Sequence, residues 1–218
     1  TLHHNVLSKE VLAQHKDLLP KAHAEAQPMF ELSRAIAESN ASPIILFPFD
    51  YMAEAEAMGY PVKGYEDEFG LRAAGPMLKD AAELALLPKI DFGKGRIGQI
   101  LQAVAIAKES PYTPCLSISG FVTEADILLS MATVCTSWRN QRAALFGFWQ
   151  RYAKELLQYA RLAQLAGAKI ISYSDPMAAA SILGPKWAQE VIAEITAPFL
   201  KELLRETEHG IIHLCGKT

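Results

Sequence analysis

The sequence predicts an α/β fold built on a parallel sheet, and three observations predict it. Four short, continuous apolar runs punctuate the chain, and amphipathic helical stretches separate them. The 218 residues, 50% hydrophobic and 21% charged, suffice for one sizeable core without disulfides or a structural metal. Unbroken apolar runs, as opposed to alternating ones, belong to strands covered on both faces. Strand and helix in alternation make βαβ units. Two architectures satisfy this pattern, an open doubly wound sheet and a (β/α)8 barrel.

Residues 20–40 read as a helix with Met29, Phe30, Leu32, Ala35 and Ile36 inward, kinked or restarted by Pro28. Pro43-Ile-Ile-Leu-Phe-Pro48 is the first strand. A short helix over 51–58 follows, with Gly59 as its C-cap. Residues 60–78, rich in Gly and Pro, form loop or a small hairpin, and the acidic run Glu66, Asp67, Glu68 reads as solvated loop. Helices are expected over 79–87 and 96–108. Pro114-Cys-Leu-Ser-Ile-Ser119, ended by Gly120, is the second strand, and Thr123 is placed to cap a helix over 124–135. Residues 140–166 carry the clearest helical period, Leu145, Phe148, Trp149, Tyr152, Leu156, Tyr159 and Ala163, ended by Gly167. Ala168-Lys-Ile-Ile-Ser-Tyr173 is the third strand. A long helix over 186–208, interrupted at Pro198, leads to Gly210-Ile-Ile-His-Leu214, the fourth.

Composition excludes several classes. Residues 1–110 carry 11 basic and 15 acidic side chains and the remainder 10 and 9, so neither half has the basic excess of a nucleic-acid binder. No run of about 18 apolar residues exists to span a membrane. Three cysteines, Cys115, Cys135 and Cys215, make no disulfide framework, which points to a reducing cytoplasm.

Active residues of parallel α/β folds gather where strands end. Asp50 follows the first strand, Ser119, Gly120 and Thr123 the second, and Ser174-Asp175-Pro176 the third. His213, Cys215 and Gly216 lie on and after the fourth. His213 and Cys215 are two apart, so on a strand they share a face, and imidazole and thiolate are both good zinc ligands. A third ligand must come from elsewhere. Cys115 lies at the wrong end of its strand and Cys135 in or after a helix, which leaves Asp175 or a residue outside this chain. The bland readings stay open: a buried cysteine beside a hydrogen-bonded histidine, Asp50 as a helix cap, and Asp175 as a turn residue. Gly93-Lys-Gly95-Arg-Ile-Gly98 matches a dinucleotide fingerprint in letters only. No strand run precedes it and no acidic residue stands about 20 positions on. Phe146, Phe148, Trp149 and Tyr152 read as packing.

In order, these pieces resemble the uroporphyrinogen decarboxylase superfamily, especially its corrinoid-dependent branch, which includes the methylcobamide:coenzyme M methyltransferases. The resemblance runs from about residue 20 to the end. It rests on Phe47-Pro-Phe-Asp50 with 53–59, on 89–97, on Ser119-Gly-Phe-Val-Thr123, on 166–168 with Ser174-Asp-Pro176, on Leu183-Gly-Pro185 and on Ile212-His-Leu-Cys-Gly216. It implies a (β/α)8 barrel, of which this chain is one incomplete domain over 1–218, with 1–19 as an N-terminal extension. It implies zinc at His213 and Cys215, and cleft-facing Asp50 and Asp175 as catalytic residues that orient the acceptor or tune the metal. It further implies methylcobalamin as methyl donor, carried by a corrinoid protein, and a small thiol such as coenzyme M as acceptor. The alternatives are a decarboxylase-like enzyme acting on a tetrapyrrole and a non-catalytic part of a barrel that binds a corrinoid protein. An unfinished barrel also exposes strand edges and apolar surface, so a homo-oligomer is an expectation.

Overall fold

The computed structural model describes residues 9–64, 71–207 and 210–216. The acidic run at 66–68 lies outside them. Three helices, α1 (Lys9–Gln14), α2 (Leu19–Ala22) and α3 (Ala26–Ser39), lead into β1 (Ile44–Phe47). The helix α4 (Ala53–Ala57) is followed by a hairpin of β2 (Val62–Lys63) and β3 (Arg72–Ala73), a 3₁₀ turn Ala81–Leu86, and α5 (Gly95–Lys108). Next come β4 (Thr113–Ser119), α6 (Phe121–Leu129), α7 (Met131–Asn140), α8 (Arg142–Ala166) and β5 (Ile170–Ser174). The chain continues through α9 (Ala180–Leu183), α10 (Pro185–Val191), α11 (Ala197–Glu206) and β6 (Ile211–Leu214).

The order of the main sheet is β1-β4-β5-β6, with every pair parallel. That order decides between the two expected architectures. A doubly wound sheet reverses its strand order part-way, whereas a barrel adds each strand beside the last. The chain is therefore an arc of a (β/α) barrel.

The two faces of the arc differ in chemistry because strand residues alternate. Phe47, Leu116, Ile118, Ile171 and Tyr173 point to the helical layer. There they join the core with Ile97, Ile100 and Val104 of α5 and Trp149, Tyr152, Leu156 and Tyr159 of α8. Trp149 is fully buried and its Nε1 donates to the Phe121 carbonyl at 2.9 Å, so the indole leaves no orphan donor. The other face begins with a separate apolar cluster of Leu46, Cys115 and Ile170. Above it the face turns polar. Ser117 pairs with Ser172 and Ser172 with His213, and one layer higher Ser119 pairs with Ser174.

Several helices differ from expectation for identifiable reasons. Pro28 is the third residue of α3, in the first turn, where its missing N–H costs the helix no bond. The stretch expected as one helix over 124–135 is two. The first starts at Phe121, and Ser130, at φ +84°, ends it and caps α7 by accepting from the Thr133 N–H. Residues expected as a helix over 79–87 form the 3₁₀ turn, which Asp80 caps through the Ala82 N–H at 2.7 Å. The long helix over 186–208 widens to a π turn at Ile192–Thr196, just ahead of Pro198, whose missing N–H removes a rung.

Candidate active-site face

The strand ends do converge, but the two expected carboxylates arrive already engaged. Asp50 accepts from Arg96 Nη1 and Nη2, both at 2.8 Å, and its Oδ1 also accepts the Met52 N–H at 2.8 Å. The Arg96 Nε donates to Glu56 at 2.6 Å. Burial pulls the Arg96 pKa down, and the charges of Asp50 and Glu56 overcome it and hold the guanidinium above its ordinary value. This fork-to-carboxylate geometry suits arginine and not lysine. Asp50 thus enters α4 as a turn acceptor and an ion-pair partner at once. Arg96 went unrecognised as a site residue; its one signal was its place in the glycine loop that opens α5.

Asp175 is more completely committed. Its Oδ1 accepts the Thr123 N–H at 2.8 Å and the Thr123 hydroxyl at 2.7 Å. Its Oδ2 accepts the Val122 N–H and the Tyr173 hydroxyl, both at 3.1 Å. Burial pushes its pKa up against the pull of those donors. The carboxylate satisfies amides in the first turn of α6, the role the sequence reading gave to Thr123 as a local cap. It is not placed as a third metal ligand.

Two further carboxylates escaped the sequence reading. Glu54 of α4 accepts the Ser119 N–H at 3.0 Å, and burial pushes its pKa from 4.5 up to about 7. Glu124 of α6 is fully buried, with the Tyr152 hydroxyl beside it. Burial first, then the charge of Glu54, drives its pKa far up. Their only signal is an acid inside a small or apolar stretch, Ala53-Glu-Ala55 and Thr123-Glu-Ala125.

The polar face itself carries the remaining chemistry. The Cys215 N–H donates to the Tyr173 carbonyl at 2.9 Å, which extends the β5–β6 ladder past the strand end and keeps Cys215 on the face of His213. Ser172 Oγ lies 2.9 Å from His213 Nδ1. Burial lowers the His213 pKa, favouring the neutral ring that a metal requires. Tyr51 reaches over from β1, its hydroxyl 3.2 Å from Ser174 Oγ, and Ser119 Oγ donates to the Tyr51 carbonyl at 3.1 Å. Burial raises the Tyr51 pKa, the Ser174 contact lowers it, and the charge of Cys215 adds to the rise. Cys115 sits lower on the same face, against Leu46 and Ile170, where burial drives its thiol pKa up and leaves it inert. Cys135 lies on α7, away from this face.

His213 and Cys215 fit two positions of a zinc site in ligand type and in sharing one face of the sheet. Among the described residues no group of three His, Cys, Asp or Glu side chains is placed to hold a metal. Also among them, no helix is long and apolar enough to cross a membrane.

Residues 5–218 match the family described as Uroporphyrinogen decarboxylase (URO-D). The chain belongs to the uroporphyrinogen decarboxylase family. Within this family it is similar to the methylcobamide:CoM methyltransferase MtaA of Methanosarcina barkeri, 26% identical over 208 residues, covering 91% of this chain and 58% of the relative. The MtbA enzyme of Methanosarcina acetivorans is 23% identical over 222 residues, covering 91% and 59%. A solved methyltransferase from Methanosarcina mazei superposes with a TM-score of 0.78 at 22% identity, covering 95% of this chain and 61% of that one. The chain thus spans about three-fifths of these relatives' length.

Proposed function

We propose that the protein moves a methyl group from a methylated corrinoid, carried by a corrinoid protein, to a thiol such as coenzyme M. The observation that carries this reading is the shared register of His213 and Cys215 at the open end of the sheet, in a family whose similar members are named for that reaction. His213 and Cys215 would hold zinc, completed by ligands outside the described residues. When bound, zinc lowers the pKa of a coordinated thiol and holds it as the nucleophilic thiolate.

The chain's own residues prepare the place. Serines at 117, 119, 172 and 174 line the upper face beside His213 and Cys215 with small hydroxyl side chains. Tyr51 lies on the β1 side of this face, with its hydroxyl on Ser174. Asp50 and Asp175 act by position, Asp50 fixing the entry to α4 through Arg96 and Asp175 fixing the start of α6. The corrinoid supplies the labile methyl–cobalt bond, and the barrel supplies orientation and exclusion of water. Three cysteines that make no disulfide framework suit a cytoplasmic setting. A decarboxylase acting on an anionic tetrapyrrole calls for arginines aimed at the substrate, whereas Arg96 is spent on Asp50 and Glu56.

The test is methylcobalamin with coenzyme M and the intact protein, following the cobalamin spectrum and the methyl thioether together. The reading requires one thioether per methyl–cobalt bond lost, and a fall of at least about 100-fold in Cys215→Ser. No transfer to any small thiol, or full transfer by Cys215→Ser, sinks it.

A further inference from the structure

We infer that Ser172 is a positioning residue for His213: its hydroxyl engages Nδ1 and leaves Nε2 as the nitrogen available to a metal ion shared with Cys215. The inference rests on the zinc reading above and assigns a role to a residue that the strand-end argument passed over.

Three observations converge on it. Ser172 and His213 are direct register partners on β5 and β6, so both side chains leave the same face of adjacent strands. Ser172 Oγ and His213 Nδ1 are 2.9 Å apart, full hydrogen-bond distance. Ser172 is buried, 5% exposed, so water competes poorly for that contact. A ligating imidazole needs its second nitrogen held, because rotation about the Cβ–Cγ bond otherwise turns the ligating nitrogen away and puts a ring carbon in its place. A carboxylate, carbonyl or water usually does this; here the hydroxyl of the register partner, Ser172, does. With a metal on Nε2, Nδ1 carries the proton and donates it to Ser172 Oγ. The strands that carry the two groups stay locked on either side of the contact, by the Ile211 N–H donating to the Lys169 carbonyl and the Cys215 N–H to that of Tyr173. Small strain at the contact is therefore not relieved by slippage.

The experiment combines histidine ring ¹⁵N spectra with zinc affinity, measured by chelator competition on the intact protein. In the wild type, cadmium-113 substituted for zinc should couple to Nε2 of His213. Ser172→Ala should weaken zinc binding about 10–100-fold, and Ser172→Thr, which keeps a hydroxyl at the position, should restore most of it. Wild-type zinc affinity in Ser172→Ala, or cadmium coupling to Nδ1, overturns the inference. A wild type that binds neither metal sinks the zinc reading separately. The metal-free ring then still decides the contact: a change at Nδ1 in Ser172→Ala supports it, and identical ring spectra in the two proteins overturn it.

Discussion

A Cβ added at Gly120 would lie 2.2 Å from the Cβ of Asp175. The end of β4 and the end of β5 meet there with no room for a side chain, and the Gly120 N–H completes the join by donating to the Ser174 carbonyl at 2.8 Å. Gly120 is thus required for close approach and not for an unusual backbone angle. Gly120→Ala should destabilise the protein by about 1–3 kcal/mol or more, because the overlapping atoms are a short, buried side chain that cannot swing away. Urea unfolding measures this, and an unperturbed midpoint would contradict the packing described.

Asp175 poses the sharper choice between structure and catalysis. Removing its carboxylate orphans the buried Val122 and Thr123 amides and the Tyr173 hydroxyl. Each buried unsatisfied donor costs about 1–3 kcal/mol. Asp175→Ala should accordingly lower the unfolding midpoint steeply, with activity lost in proportion to the folded fraction. A variant as stable as the wild type yet inactive would return Asp175 to the catalytic role its strand-end position suggests.

The ion pair of Asp50 and Arg96 makes a prediction about coupling. Both side chains are buried, at 9% and 3% exposure. Loss of one partner leaves an uncompensated charge, a cost of about 3–5 kcal/mol. Arg96→Met should show that loss, and the double variant Asp50→Asn with Arg96→Met should lose less than the two single changes added together. A double-mutant cycle by denaturant unfolding reads the difference. Strict additivity would mean that Asp50 is not held by Arg96 in solution.

Glu54 and Glu124 set a pH dependence whose sign follows from burial. A carboxyl whose folded pKa lies above its unfolded value keeps its full contribution below the unfolded pKa and loses it as pH rises through the folded one. For Glu54 that window runs from 4.5 to about 7. Glu54→Gln keeps an acceptor for the Ser119 N–H and removes the charge. It should match the wild type at the acid end and exceed it at about pH 8, by up to about 3 kcal/mol. Removal of the Glu54 charge also relieves Glu124, where that charge is the second cause of the raised pKa. Melting curves across the window test this, and a wild type that gains stability on Glu54→Gln equally at every pH would contradict it.

The strands and the long helix were legible because their signals are local. Ile44–Phe47 and Ile170–Ser174 are unbroken apolar or small runs, as buried parallel strands require, and α8 repeats its core residues at helical spacing over about five turns from Leu145 to Ala163. The choice between doubly wound sheet and barrel was not local, since it depends on which strand lies beside which. The site shows the same division. Asp50, Asp175, His213 and Cys215 could be placed at strand ends from sequence, but what each carboxylate touches could not. Arg96 is 46 positions from Asp50, and Val122 is 53 from Asp175. The misplaced start of α6 has this same origin, for a helix capped by a distant carboxylate carries no capping residue of its own.

The zinc content of the intact protein, measured beside Cys215→Ser and His213→Ala, tests the central claim most directly. The account predicts about one zinc per chain in the wild type, lost in both variants while their melting temperatures hold. Zinc retained in Cys215→Ser, or a metal-free wild type that still transfers methyl groups to thiols, would contradict it.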